Sequence, residues 1–423
     1  MEIKDLSISN GIVSLFDYTH NDDAAACLKK MLLTPLPSPD AVTERQLILK
    51  GFLDNLSVFA NYSYSRIDFR EADFFVSDFS DEIHLPKGIK LKLSLYKAVY
   101  HQYRSKATQL ILLYNRLHNY IKNLPTQSFP EAYKKELLLM DAYLSSFRLN
   151  YYEGFIREGK LRAKHILEIY QLVSQKKILK KDKQFKNSLT QFEAYLSAAT
   201  GINANRFIFP AIGGNQLDIN NFYHPLLKSP VKNSLKTKSN VVLLTGPNMS
   251  GKSTLLKAIG ICVYLANIGF AIPASGAKIP FYNKIDVYIN LNDDLQSGYS
   301  HFMTEIINLK KVVTEAGTGA PCFAIFDELF RGTNIDDALD ISRSTLKGML
   351  NFPDSLFFVS SHLHQLISMD EIKDGKIACH YLDCSLNDNI PAFTYQLKEG
   401  SSDIKIGRIL FEKENMNEIL VLT

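Results

Sequence analysis

Residues 241–254 read Val241-Val242-Leu243-Leu244-Thr245-Gly246-Pro247-Asn248-Met249-Ser250-Gly251-Lys252-Ser253-Thr254. A β-branched, apolar run enters a Gly-x-x-x-x-Gly-Lys-Ser loop, and the helix-compatible run at 254–259 leaves it. That is the strand–loop–helix context that a Walker A phosphate loop requires. Gly246 and Gly251 permit backbone turns that bring successive N–H groups around an anion. The following helix adds the partial positive charge of its N-terminus. Lys252 can reach β/γ-phosphates, and the Ser253 hydroxyl can ligate Mg²⁺. Gly246, Pro247, Asn248, Met249, Ser250, Gly251, Lys252, Ser253 and Thr254 are the expected ATP-binding residues.

A second element supports the first. Cys322-Phe323-Ala324-Ile325-Phe326 is a buried-strand pattern that ends in Asp327-Glu328. Ligands of open parallel sheets bind outside the carboxyl ends of the strands. Asp327 is placed to hold Mg²⁺, directly or through water, and Glu328 to polarise an attacking water. A third apolar run, 355–361, ends at His362. His362 either hydrogen-bonds the γ-phosphate and orients the water, or is a surface histidine at a strand end. Phe222, Tyr223 and His224, before Pro225, either stack on adenine or form a core-packed aromatic turn.

In these blocks the chain resembles the MutS family of DNA mismatch-repair ATPases. The stretch Thr245 to Thr254, with Pro247-Asn248-Met249 inside it, is similar to the family's own form of Walker A. The 293–305 block Asp293-Asp294-Leu295-Gln296-Ser297-Gly298-Tyr299-Ser300-His301-Phe302-Met303-Thr304-Glu305 resembles its second motif. Asp327-Glu328-Leu329-Phe330-Arg331-Gly332-Thr333-Asn334 resembles its Walker B block, and Ser361-His362 its later histidine motif. The resemblance covers roughly residues 215–410, with a weaker match near 15–46 to the start of the family's core domain. It implies a multi-domain α and α/β protein: a helical core and lever region followed by an ABC-type P-loop ATPase domain. It implies a homodimer in which Ser300 reaches the partner's nucleotide, although 297–300 is also good turn chemistry. It implies ATP hydrolysis with ATP and Mg²⁺ as cofactors, and DNA as partner. Departures stand beside these matches. Phe330 occupies a position where the family usually has Gly, and Asn334 replaces a usual Ser. The core-like match starts near residue 10, so the mismatch-reading and connector domains are not expected in this chain. Phe69-Arg70-Glu71 has the letters of the mismatch wedge without its flanks.

Composition sets broad limits. With 423 residues, 46% hydrophobic and 22% charged, the chain supports two or three soluble domains. A formal charge of +4 permits a nucleic-acid partner without arguing for one. The odd count of 5 scattered cysteines does not suggest a disulfide framework, so a reducing, cytoplasmic setting is expected. Residues 258–277 carry no charge but are interrupted by Gly260, Asn267, Gly269, Pro273 and Gly276. A buried helix followed by a strand is expected there, with no membrane span.

Three regions are expected: 1–90 core-like and helical, 91–205 long lever helices, and 206–423 the ATPase domain. Helical pattern fills 92–124 and then 131–177, broken only by Gly154 and Gly159. Unbroken, the second stretch would reach about 70 Å. Residues 151–190 hold ten Lys/Arg against four acids. Lys176, Lys177, Lys180 and Lys181 either contact DNA phosphates or form a solvated helix end. The expected function is an ATP-dependent DNA-binding protein. As a dimer it would switch its grip on mismatched, branched or non-specific duplex DNA. The alternative is an ATP-driven conformational switch acting on a protein partner.

Overall fold

Val241–Thr245 is buried at all 5 positions, as expected of a strand covered on both faces. Cys322–Phe326 and Leu356–Ser360 repeat the pattern. The computed structural model describes residues 1–77, 96–247, 249–289, 301–330, 332–387, 390–401, 411, 419 and 420. Its strands, in chain order, are β1 (Ala211–Ile212), β2 (Leu217–Phe222), β3 (Asn233–Thr237), β4 (Val241–Thr245), β5 (Gly276–Ile279), β6 (Lys284–Tyr288), β7 (Cys322–Phe326), β8 (Leu356–Ser360), β9 (Ala378–Asn387) and β10 (Ile390–Glu399). Its α-helices are α1 (Asp22–Leu33), α2 (Pro39–Asp54), α3 (Arg66–Ser77), α4 (Lys97–Asn123), α5 (Glu131–Ser145), α6 (Leu149–Arg157), α7 (Ala163–Ile178), α8 (Lys181–Asn205), α9 (Lys252–Asn267), α10 (His301–Ala316), α11 (Ile335–Met349) and α12 (Asp370–Lys373).

The chain divides into two units, and the division is not sequential. An α/β unit gathers Met1–Ser14, Leu32–Gln46 and Asn205–Thr423; a helical unit gathers Leu15–Met31 and Leu47–Ala204. The boundary expected at 205/206 falls at 204/205, but 1–14 and 32–46 group with the sheets rather than with the rest of 1–90.

In the α/β unit the larger sheet runs β10-β9-β4-β8-β7-β6. β9, β4, β8, β7 and β6 are parallel, and β10 returns antiparallel to β9. Beside β6, Glu2 adds a parallel bridge to Asp286. Leu243, Phe326, Phe357 and Val359 on one face pack with Val312, Leu346 and Met349 of α10 and α11. The smaller sheet, β1-β5-β2-β3, is mixed. The uncharged run at 258–277 forms the second half of α9 and the approach to β5. Among the described residues no helix is long and apolar enough to cross a membrane.

In the helical unit the expected lever over 131–177 is three helices, α5, α6 and α7. Two backbone reversals explain the correction. After α5, Phe147 turns inward to full burial and Arg148 takes a left-handed φ of 54°. After α6, Gly159 has φ 69°, with Lys160 N–H donating to Phe155 O at 2.8 Å and Gly159 N–H to Ile156 O at 3.0 Å. That pair of bonds is a Schellman stop. Gly154, by contrast, stays inside α6 with no atom within 4 Å of where a Cβ would stand. The core is aromatic. Phe52 meets Phe129, Tyr133 and Phe192 edge-on, with centroids 5.2, 5.9 and 5.2 Å away. Such pairs add to the burial of their area. α8 is tied to 15–18 twice. Ser197 Oγ donates to Phe16 O at 2.8 Å and accepts from Tyr18 N–H at 2.7 Å. At Gly201 a Cβ would stand 2.4 Å from Leu15 O.

Candidate nucleotide-binding site

β4 ends at Thr245, and the loop that follows holds Gly246 at φ 141° and Gly251 at φ 94°. Both are values that residues with a Cβ rarely adopt, so glycine is required at each end of the loop. Gly251 then caps α9. Met249 also takes a positive φ, 69°, and is 74% exposed at the loop's crest. Lys252 begins the helix and points back under the loop. Its Nζ donates to Gly246 O at 2.8 Å and to Pro247 O at 3.1 Å, and stands 4.0 Å from Glu328 Oε1. Burial pulls the pKa of this ammonium down, while Glu328 and Asp327 pull it up.

β8 lies between β4 and β7, so the ends of these strands bring three motif blocks together. Asp327 Oδ2 accepts from Ser253 Oγ at 2.5 Å, and Ser360 Oγ donates to Asp327 Oδ1. Ser360 Oγ also accepts from Glu328 N–H at 2.9 Å. Ser253 and Asp327 thus put hard oxygen donors side by side, which fits Mg²⁺: that ion takes one or two carboxylates and completes its shell with water and phosphate. Among the described residues no three His, Cys, Asp or Glu side chains cluster as a metal cage. His362 follows β8 and is exposed.

A cavity of about 190 Å³ adjoins the loop. Phe222, Tyr223, His224, Leu255 and Tyr395 are among its lining residues, with Gly251 and Thr254 at the phosphate-loop side. Phe222 is itself fully buried, while Tyr223 and His224 are partly exposed. Burial lowers the pKa of His224, and Lys257 lowers it further. A neutral imidazole and aromatic faces beside an apolar hollow suit a flat heterocycle.

Sequence reasoning missed several contributors. Tyr395 sits in an irregular stretch of β10, where the register with β9 shifts between Phe393 and Leu397. Its φ is 57°, and its ring lies 3.1 Å from where a Gly251 Cβ would stand. Asn233 of β3 holds that stretch in place. Its Nδ2 donates to Tyr395 O at 3.0 Å, and its Oδ1 accepts from Leu397 N–H at 2.7 Å. Ser360, one residue before the quoted Ser361-His362, is the shared partner of both acids. Asn334 works as the N-cap of α11, its Oδ1 accepting from Asp337 N–H at 2.8 Å. Asn and Ser are near-equal caps, so this departure from the family is locally neutral.

Other sequence candidates lie elsewhere or outside the described residues. Asn248 and Ser300 lie outside them, as does the Lys177 side chain. Lys176 packs over the rings of Tyr143 and Phe147 at 5.0 and 4.9 Å, and its Nζ donates to Ser146 Oγ. Burial lowers its pKa, with a smaller push from Lys181. Lys180 and Lys181 are exposed. The Phe69-Arg70-Glu71 letters are used within the helical unit. Phe69 stacks on Tyr64 at 5.5 Å, Arg70 pairs with Asp22 at 2.8 Å, and Glu71 accepts from Ser105 Oγ at 2.9 Å.

These elements define an α/β fold with a phosphate-loop sequence at the carboxyl edge of a parallel sheet. Residues 242–419 match the family model described as MutS domain V. The DNA mismatch repair protein MutS of Acholeplasma laidlawii is 30% identical over 224 residues, 52% of this chain and 26% of that protein. Its counterpart in Clostridioides difficile is 26% identical over 328 residues, 72% of this chain and 34% of the relative. That of Listeria welshimeri is 26% identical over 321 residues, 70% of this chain and 35% of the relative. These matches support a MutS-family assignment, carried by residues 242–419. The chain spans about a quarter to a third of the length of these relatives, from 26% to 35%.

Proposed function

We propose that this chain is a MutS-type ATPase that binds Mg-ATP at the glycine loop and uses its hydrolysis to switch its grip on DNA. The observation that carries this reading is the convergence of Lys252, Ser253, Asp327 and Glu328 beyond the carboxyl ends of β4 and β7, the two strands that flank β8, near a cavity of about 190 Å³. Adenine fits between Tyr395 and the Phe222–Tyr223–His224 side of that cavity. The loop N–H groups cradle the phosphates. Lys252 exchanges its two carbonyl partners for β/γ-phosphate oxygens. Ser253 and Asp327 would hold Mg²⁺, which supplies charge neutralisation at the phosphates when bound. Glu328 accepts a proton from the attacking water, and His362 is a further candidate to orient it. Ser300 is proposed to complete the site of a second copy, as in the family's paired ATPase domains.

The DNA partner rests on the family alone, and its structure on the same ground: mismatched, branched or non-specific duplex. A second reading, a switch acting on a protein, is favoured by one observation. Lys176, from the basic run proposed for phosphate contact, is engaged inside its own unit. The test is ATP turnover of the full chain across protein concentration, with and without duplex, mismatch and junction DNA at low salt. Turnover that rises more than proportionally with concentration, is stimulated by DNA and is lost in Lys252→Ala supports the reading. Equal turnover in Lys252→Ala removes the phosphate-loop assignment; turnover indifferent to DNA favours the protein partner.

A further inference from the structure

We infer that Glu305 is a positioning residue for Glu328, acting through the backbone N–H of Phe330. The inference rests on the reading of Glu328 as the carboxylate that activates water. The segment after β7 holds two non-glycine residues in the left-handed region, Glu328 at φ 54° and Phe330 at φ 65°. Side chains disfavour that conformation, so it persists only where neighbours hold it. Three N–H groups of the segment are captured. Asp327 N–H donates to Tyr288 O at 2.9 Å and Glu328 N–H to Ser360 Oγ at 2.9 Å. The first acceptor is a backbone carbonyl of β6 and the second a side-chain hydroxyl of β8. The third comes from outside the sheet and is a carboxylate: Phe330 N–H donates to Glu305 Oε2 at 3.0 Å, from α10.

Glu305 is 1% exposed. A carboxylate in such a place is costly compared with an apolar residue of similar volume. What it gives in return is a strong, charge-assisted acceptor for a peptide N–H two residues past Glu328. The same helix reinforces the hold. Phe302, one turn before Glu305, meets the Phe330 ring at 6.1 Å and 62°. Gly332 lets the chain pass close by, since a Cβ there would stand 3.2 Å from Phe302 N and Cβ. Phe330, where the family usually has Gly, is itself 1% exposed. Glycine would take a left-handed φ without strain, whereas this chain holds φ 65° there with a buried ring and the Glu305 carboxylate on its N–H. Glu305 therefore sets the direction in which Glu328 leaves the strand.

The test compares Glu305→Met, which keeps the volume and removes the acceptor, with Glu305→Gln, which keeps one acceptor oxygen. ATP turnover and Mg-ATP affinity are measured on the full chain, with thermal unfolding as a check on folding. Misplacement of a reacting group by about 1 Å costs up to about 10²-fold in rate. Glu305→Met is expected to lower kcat by about 10- to 100-fold with nucleotide affinity held within about 3-fold, and Glu305→Gln to restore most of the rate. Normal kcat in a folded Glu305→Met protein overturns the inference. So does a parallel loss of affinity and kcat that Gln does not rescue. Glu328→Gln, run alongside, separates the two levels. If it leaves turnover unchanged, the reading of Glu328 falls and the inference with it. If it slows turnover while Glu305→Met does not, only the positioning role falls.

Discussion

The carboxylates at the glycine loop and the carboxylate at the centre of the helical unit are set in opposite ways. The Asp327 carboxylate accepts from Ser253 and Ser360, and the Glu328 carboxylate stands 4.0 Å from the Lys252 ammonium, near a cavity. Glu193, 3% exposed on α8, is enclosed by donors from its own unit. Tyr62 Oη donates to its Oε1 at 2.7 Å, Tyr64 Oη to its Oε2 at 2.5 Å and Asn21 Nδ2 to the same oxygen at 2.5 Å. Asn21 also caps α1 through its Oδ1, 2.8 Å from Ala24 N–H. The contrast teaches where to look for chemistry. Polar groups that close on one another hold a fold, whereas those at the glycine loop converge beside a hollow with an ammonium parked on carbonyls, which is where the proposed chemistry is placed.

The largest effect that can break this contrast is catalytic. Glu328→Gln keeps shape and removes the proton-accepting charge, so hydrolysis is expected to slow by about 10²–10⁴-fold with Mg-ATP binding kept. The unfolding midpoint should barely move. A turnover within about twofold of the wild type would transfer the general-base role to His362.

The converse effect belongs to Glu193. Burial raises its pKa from 4.5 to about 7, and the bonds from Tyr64 and Tyr62 only partly oppose this. The folded state therefore holds its proton more tightly than the unfolded chain does. Its contribution to stability is full below about pH 4.5, falls as pH rises toward about 7, and is lost above. The full difference is on the order of 3 kcal/mol. Glu193→Gln should abolish that slope in a pH series of chemical denaturation while leaving ATP turnover per folded molecule unchanged. A difference in stability between the wild type and Glu193→Gln that is level or rising across this window would show that the carboxyl is charged in the folded state.

The smallest effects sharpen the contrast within one basic run. Lys180→Gln with Lys181→Gln should reduce the log–log salt slope of DNA binding, by about one per lost phosphate contact. Lys176→Gln should leave that slope alone and instead destabilise the helical unit by about 1 kcal/mol, through its lost cation–π contacts. An unchanged slope in the first variant moves any DNA path elsewhere.

The glycine loop and the strands that end at it and at the acidic pair were readable because they are contiguous: a buried strand, two glycines in unusual backbone conformations and a helix follow one another in sequence. β4, β7 and β8 each announced themselves as short runs of buried residues. The helical unit was readable as helix but not as three helices. Gly159 signals a stop, whereas Arg148 reverses the chain with an ordinary residue because Phe147 is drawn into the core. Glu193 and Glu305 look like surface acids of amphipathic helices, since nothing local says that their partners come from α10's neighbour loop or from residues 21–64. Tyr395 reaches the cavity only through an irregular hairpin held by Asn233. The unit boundary was half readable: turn residues mark it near 205, while the return of 32–46 to the sheets is a tertiary event without a local sign.

The close approach at Gly201 has a consequence for mutational tolerance. A methyl group there would enter the space of the Leu15 carbonyl, which cannot retreat like the end of a flexible side chain. In a saturation library selected for folded protein, position 201 should therefore return glycine almost alone. Position 154, open on all sides, should accept alanine and other good helix formers. Two glycines that look alike on the page thus lie at opposite ends of the substitution spectrum, one closed by a neighbouring backbone and one free to drift.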